Sequence, residues 1–581
     1  MSAEASKLAA DRDLLLAAEA KGSGAKLRAF AKLSGPGWLQ SALTLGGGTL
    51  AGSLYLGVLS GPHLLWLQPL AMALGVIMTS AIGYVTLSTR EQPLQAVSRY
   101  INPVMAWGWA LGALATCMVW VMPQYSLSNA VVQQILLPDI LGPQSRWGET
   151  VGRVIITGTI FAIVVVVSWN YGRGGKGVKL YEGVLKLTVL AIVICFLGVV
   201  IRLGTAADGL DWGALLKGFI PNPAAIFKPG DAFLPLLEAV PAAGRDYWSQ
   251  HLVLQQRDVA VTVAAATIGI NGTFLFAYSL RRHGWGKEFR GFMKFDLATG
   301  MFIPFVLVTA CIVVAAASQF HAVPQPGLLP ESAMTESTVT PRQRTEFASL
   351  LRGRVLHENK GLELNEAEIE SRVAGLGPAD RMMAATLVTR DAFDLASSLR
   401  PFTGDFVARI VFTFGVLGMT LSSITLQMVI CGMVICELLG RPLTGWTFRL
   451  GTLAAATGIL GPFIWSAAAF WLVVPTSIFA FTLLPIAYVT FLLLLNQRKL
   501  LGAEMPTGGR RWAWNLMLGM IVAIFAPASL YMVWDKGGYW GVGLVAAFLI
   551  ATLIADQNRR RKRGGGSPDQ PPVTEKETQS V

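Results

Sequence analysis

Two short runs of small and polar residues interrupt otherwise apolar stretches of this chain. Leu45-Gly-Gly-Gly-Thr-Leu50 lies in the middle of one apolar run, and Gly269-Ile-Asn-Gly-Thr-Phe274 lies in another. Each glycine costs a helix about 1 kcal/mol relative to alanine, so both runs predict local unwinding. Unwound backbone frees carbonyl and amide groups. Together with the side chains of Thr49, Asn271 and Thr273 they would form an uncharged polar site. The candidate substrate-binding residues are therefore Gly46, Gly47, Gly48, Thr49, Ile270, Asn271, Gly272 and Thr273. Small residues also let helices pack closely with no ligand at all. The matched break in the second run weighs against that blander reading.

Other polar residues are weaker candidates. Gln124 follows Pro123, and Ser126, Asn129 and Gln133 can share a helical face directed into a bundle, with interhelical hydrogen bonding as the alternative. Ser422, Ser423, Thr425 and Gln427 read the same way. The absences say more. No Asp, Glu or His lies near the middle of the first, third, sixth, eighth or tenth apolar run, which argues against an anionic metal cage or a titratable proton relay. Asp296, Glu437 and His283 sit near run ends and read as caps or anchors. The cysteines (Cys117, Cys195, Cys311, Cys431 and Cys436) read as small core residues, and His321 and His357 as isolated, solvent-facing side chains. With no nucleophile–base pair, an enzyme is not expected; nor is a cofactor, and no residue can be assigned as a metal ligand.

The elements that must position these residues are membrane spans. Of 581 residues, 53% are hydrophobic and 14% charged, with mean hydropathy +0.52; soluble domains carry roughly 25% charged residues. Apolar runs long enough to cross a bilayer of about 30 Å predict twelve spans, near 37–59, 64–88, 104–136, 151–168, 178–203, 259–281, 296–318, 405–438, 449–473, 475–496, 511–534 and 538–556. Basic residues follow every even-numbered span. Under the positive-inside rule both termini are cytoplasmic, in what is expected to be a bacterial inner (plasma) membrane. The +12 net charge is thus spent on loops and ends, which argues against a nucleic-acid partner. The expected organisation is a cytoplasmic segment 1–34, spans 1–7 within 35–318, a polar extracytoplasmic insert 319–404, spans 8–12 within 405–556 and a basic, disordered tail 557–581. Residues 204–258 are expected to be a long outward loop with room for a short interfacial helix, a continuous helix being opposed by Pro221, Pro223, Pro229, Pro235 and Pro241. The glycine breaks fall in spans 1 and 6, each opening a five-span half. That is the pattern of an inverted repeat whose discontinuous helices meet at the bilayer midplane.

With the spans placed, the chain resembles the Nramp (natural resistance-associated macrophage protein) family of proton-coupled divalent-metal transporters. Gly35-Pro-Gly-Trp-Leu39 resembles that family's opening of its first helix, and Phe295-Asp296 its Phe-Asp pair. Leu421-Ser-Ser-Ile-Thr425 through Val434-Ile-Cys-Glu437, Pro485 and Arg498-Lys-Leu-Leu-Gly502 are similar to its later motifs. The resemblance implies an all-α polytopic membrane protein with the LeuT-like 5+5 inverted repeat and about twelve transmembrane helices. The departures fall on functional positions. The family's Asp-Pro-Gly-Asn metal motif lands on Gly46, Gly47, Gly48 and Thr49, and its Met-Pro-His motif on Ile270, Asn271 and Gly272. Its third-helix acid lands near Tyr125 and its tenth-helix glutamine near Leu483.

The resulting expectation is a secondary transporter moving a metal cation by alternating access, a hydrated divalent cation such as Mg²⁺ or Mn²⁺ being the candidate. Its partners would be that small ion and the lipid bilayer; the oligomeric state is left open. The rivals are a LeuT-fold carrier of a neutral or organic small solute, and a non-transporting membrane receptor or scaffold.

Overall fold

A computed structural model describes residues 3–564, except 34–36, 90, 144, most of 171–195, 206–209, 330–338, most of 391–405 and 465–470. The described residues form helices joined by loops. Nine of these helices have the length and apolarity to cross a membrane. Two further spans emerge from breaks within helices. Span 1 divides into span 1a (Gly37–Thr44) and span 1b (Gly47–Ser60). The helical run Gly508–Gly564 is broken at Gly538, whose φ of 52° lies in the left-handed region that glycine tolerates, so spans 11 and 12 are two helices meeting at a corner. Span 5, expected over 178–203, falls mostly outside the described residues.

Burial sorts the spans into a centre and a periphery. All of span 1b is buried, as is 89% of the most apolar window of both span 6 and span 8, against 28% for span 4 and for spans 11–12. Helices apolar all round are the ones a bundle buries. Span 3 (Pro103–Val131) packs along span 8 (Phe412–Leu438), and span 7 (Ile303–Phe320) along span 1b. The start of span 3 is fixed locally: Asn102 Oδ1 accepts from Val104 N at 2.8 Å, and Pro103 takes the first helical position, where no amide is needed.

Span 6 is longer than the sequence suggests. Its first half, span 6a, runs Ala242–Thr267, so residues 242–258 are helix rather than loop. The last proline, Pro241, stands just before the helix instead of inside it. Ahead of it lie a short helix, Trp212–Gly218, and brief helical turns.

The insert is helical (Pro341–Glu358, Glu366–Ala374 and Pro378–Leu387), with capping boxes at Thr340/Gln343 and Asn365/Glu368. It docks on span 6a through a buried polar cluster. Asp380 Oδ1 accepts from Trp248 Nε1 at 2.7 Å and from Arg354 Nε at 3.2 Å, while Arg354 Nη1 reaches Glu358 at 2.7 Å. His321 is not solvent-facing, and His357 is half-buried. His321 Nδ1 lies 3.0 Å from Val58 O and its ring meets Phe233 edge-on, while the His357 ring is 5.4 Å from Tyr247. Docked helices bury side chains that an isolated segment would expose.

At the opposite end, Glu504 joins the loop before span 7 to the segment after span 10. It takes Lys287 at 2.8 Å and Arg290 at 2.9 Å, and its backbone carbonyl accepts from Tyr84 Oη at 2.6 Å. Those two cations hold its carboxyl below the usual carboxylate range.

Two outcomes follow for the purified protein. Asp380→Ala removes the acceptor of Trp248 Nε1 and one of the two carboxylates on Arg354, leaving Glu358 as its partner, and should lower unfolding stability by about 1–3 kcal/mol, read from thermal melts. Because the Glu504 pKa is depressed on folding, its stabilisation is present above the unfolded carboxylate range, about 4.3, and is lost as pH falls through the lower folded value. Glu504→Gln should remove that part of the acid dependence of the melting temperature.

Candidate functional site

The two breaks are each two residues wide. In span 1 the helix stops at Thr44, Leu45 and Gly46 are unwound, and Gly46 adopts an extended conformation (φ −90°, ψ 179°). In span 6 the unwound pair is Ile268 and Gly269, both extended. Span 6b then runs Ile270–Arg282. Thus Gly47, Gly48 and Thr49 begin span 1b, and Ile270, Asn271, Gly272 and Thr273 begin span 6b; all eight candidate residues are buried. Two carbonyl-bearing helix ends, of spans 1a and 6a, and two amide-bearing ends, of spans 1b and 6b, flank the breaks.

The breaks are brought together by contacts from span 1a and from span 3. Gln40 Nε2 donates to Gly272 O at 3.4 Å. The Trp120 indole bridges both: Cβ atoms added at Gly48 and Gly269 would each lie 3.7 Å from its six-membered ring. Its Nε1 donates to Ser477 Oγ of span 10 at 3.0 Å. Gln124 Oε1 accepts from Gly47 N at 3.1 Å, satisfying an amide that the break leaves open. Span 8 closes the far wall, with Ser422 Oγ donating to Ala42 O at 3.0 Å and Ser423 packed beside Gly46.

The hydroxyls predicted to face a ligand are already engaged. Thr49 Oγ1 donates to Thr44 O, stitching span 1 across its own break. Thr273 Oγ1 donates to Ile270 O at 2.5 Å and accepts from Trp109 Nε1 at 2.9 Å. Asn271 Oδ1 caps Gly272 N at 3.0 Å, while its Nδ2 has no partner among the described residues. Further along span 3, Asn129 donates to Tyr125 O and to Thr157 Oγ1 of span 4, and Gln133 to Leu141 O and Glu149 O. Those two bind helices together; Gln124 is the span 3 amide at the break. Trp120 and Gln40 had no sequence signal, since a tryptophan in an apolar run reads as core.

The ionisable residues near span ends are structural. Asp296 Oδ2 accepts from Gly37 N at 2.6 Å, capping span 1a, and the His283 ring lies 2.8 Å from Ser279 O at the end of span 6b. Among the described residues, no group of three or more His, Cys, Asp or Glu could hold a metal. What the breaks offer is backbone, amide, hydroxyl and an aromatic face.

A bundle of spans around two facing helix breaks is the architecture of a LeuT-like membrane transporter. The Natural resistance-associated macrophage protein-like (Nramp) family matches residues 37–340 and 379–535, so the chain belongs to it. It is an integral membrane transporter of that family and not an enzyme. No curated protein sequence matches the chain. Among solved structures, the manganese transporter of Eremococcus coleocola, in complex with an aromatic bis-isothiourea substituted compound, aligns at 15% identity. It covers 93% of this chain and 97% of its own, with a TM-score of 0.57. MhsT in complex with L-phenylalanine aligns at 12% identity over 86% and 97%, with a TM-score of 0.44. The fold likeness rests on the first of these.

The glycines at the break are not equivalent. A Cβ at Gly47 would lie 2.5 Å from Leu127 Cδ1 and 2.9 Å from Gln124 Oε1, whereas at Gly48 the nearest atom is 3.7 Å away. Gly47→Ala should therefore destabilise the protein by about 1–3 kcal/mol. Gly48→Ala should be neutral, or stabilising by up to about 1 kcal/mol. Melting temperatures of the two variants side by side check this.

Proposed function

We propose that this transporter carries a divalent metal cation, hydrated Mg²⁺ or Mn²⁺ being the candidate, by alternating access around the facing breaks of spans 1 and 6. The juxtaposition of those breaks, joined by Trp120, Gln124 and Gln40, carries the reading. The carbonyl ends of spans 1a and 6a present partial negative charge, about half an elementary charge each, to a cation at the midplane. Neutral amides and carbonyls suit a cation that keeps several of its waters, as Mg²⁺ does. The Eremococcus coleocola protein of similar fold is a manganese transporter, which puts Mn²⁺ on the same panel. In this reading the membrane is a bacterial plasma membrane, both termini are cytoplasmic and the insert is extracytoplasmic.

A second reading is a carrier of a small organic solute. The Trp120 indole between the breaks favours it, because an aromatic face suits an apolar or organic-cation ligand.

Uptake into proteoliposomes, with and without a pH gradient, decides between them. Saturable flux of Mg²⁺ or Mn²⁺ is expected, falling at least about tenfold, or 1.4 kcal/mol, in Gly46→Leu, because a Cβ there already stands 3.2 Å from Ser423. Absence of flux for Mg²⁺, Mn²⁺, Fe²⁺ and Ca²⁺ by folded protein would overturn the cation reading.

A further inference from the structure

The chain ahead of span 1a folds into a hairpin of two helices, Ala3–Ala20 and Ser23–Lys32, joined through Gly22 at φ 95°. The hairpin docks against the segment that leads into span 7. Phe30 packs on Phe292 and Phe295 at centroid distances of 5.8 and 5.4 Å, and Arg12 Nε pairs with Glu288 at 3.1 Å. Span 1a opens at Gly37, shortly after the hairpin ends, so the hairpin lies at the level where the spans leave the bilayer. Leu16 and Leu27 stand exposed on it, at 47% and 57%.

Between the two helices is an open cavity of about 380 Å³, within the usual size range of small-ligand sites, about 300–1,000 Å³. Lys21, Arg28 and Lys32 line it, and among the described residues no acid does. Arg28 and Lys32 are four residues apart on one helix, which sets their Cβ atoms about 5–6 Å from each other. Lys21 enters from the turn. All three are exposed, and none has a hydrogen bond or ion pair among the described residues. The hairpin's Lys26, by contrast, holds Glu19 at 2.7 Å. The floor of the cavity is apolar, from Leu14, Ala18 and Ala29. Basic residues at a membrane surface need no ligand; the convergence of three on one cavity, where they repel each other and no acid relieves them, points to an anion.

We propose that this cavity binds a phosphate group, carried by an anionic phospholipid. The Arg28 guanidinium can meet two phosphate oxygens in one plane, while Lys21 and Lys32 act as point charges on the others. The leucine and alanine floor accepts the glyceryl and upper acyl portion of the lipid, and a bilayer surface presents its phosphates at the depth where the hairpin sits. Free phosphate shares the anion chemistry but leaves that floor uncovered. The site uses none of the residues at the helix breaks and is tested by equilibrium binding rather than by flux, so either proposal can fail while the other stands.

The experiment titrates the full-length protein in detergent with phosphatidylglycerol, read by native mass spectrometry, which separates the first bound lipid from later ones. That first step should weaken at least about tenfold in Arg28→Gln/Lys32→Gln, each charged hydrogen bond lost being worth about that much. It should be unchanged in Lys499→Gln/Arg510→Gln, which removes the same charge after span 10. Gly24→Glu is a second variant: Gly24 lines the cavity, an added Cβ there meets nothing within 4 Å, and the new carboxylate should occupy the cations and block the lipid. Unchanged melting temperatures check that the variants are folded. In a parallel arm, inorganic phosphate should bind far more weakly than the lipid. Phosphate binding as tightly as the lipid would assign the site to free anions and overturn the lipid reading. Equal lipid binding by the wild type and the Arg28→Gln/Lys32→Gln variant would overturn the site altogether.

Discussion

Backbone amides and carbonyls inside a bilayer must find partners within the protein, because the hydrocarbon offers none and each unsatisfied group costs several kcal/mol. Two helix breaks at the centre of this bundle create that demand, and much of the surrounding structure answers it. Gln124 covers the Gly47 amide, Ser422 and Thr49 take carbonyls at the end of span 1a, and Tyr488 Oη donates to Ile268 O at 3.2 Å. The breaks are tolerated because they are buried in protein. Spans 1b, 6 and 8 are accordingly the most enclosed, and Gly47 there is a packing requirement.

The same constraint explains why losing the family's charged ligands leaves the fold unchanged. An unwound pair of residues needs hydrogen-bonding partners, and those can be amides and hydroxyls. A cation needs compensating charge, and here the protein supplies helix-end dipoles with no carboxylate at the breaks. Such a site favours a cargo that brings its own hydration shell. Among the side chains bordering the breaks are those of Trp120 and Gln124.

Much of the fold could be read from the sequence because hydropathy and loop charge report on the bilayer directly. The breaks were legible from their glycine clusters, although the unwound pair in span 1 is Leu45–Gly46 and not the centre of the triplet. Residues 242–258 were misjudged because charged residues such as Arg245 and Asp246, and a preceding run of prolines, mask a helix that continues beyond the apolar region. The polar face of span 3 was placed on Ser126, Asn129 and Gln133, whereas Gln124 reaches the break. Pro123 within the helix and the wider turn over Val132–Leu136 disturb the simple helical phase. Trp120, His321 and His357 share a different cause: their roles come from partners distant in the chain, which no local pattern encodes.

The central claim is that the paired breaks line one cavity opened alternately to either side. A Cβ at Gly48 meets its neighbours at ordinary van der Waals distance, so a cysteine placed there is a direct probe. In sealed membranes carrying Gly48→Cys, with wild type as background, a membrane-impermeant thiol reagent should label it from either face, and saturating cargo should slow labelling from both. Labelling from neither face, or from one face regardless of cargo, would contradict the account.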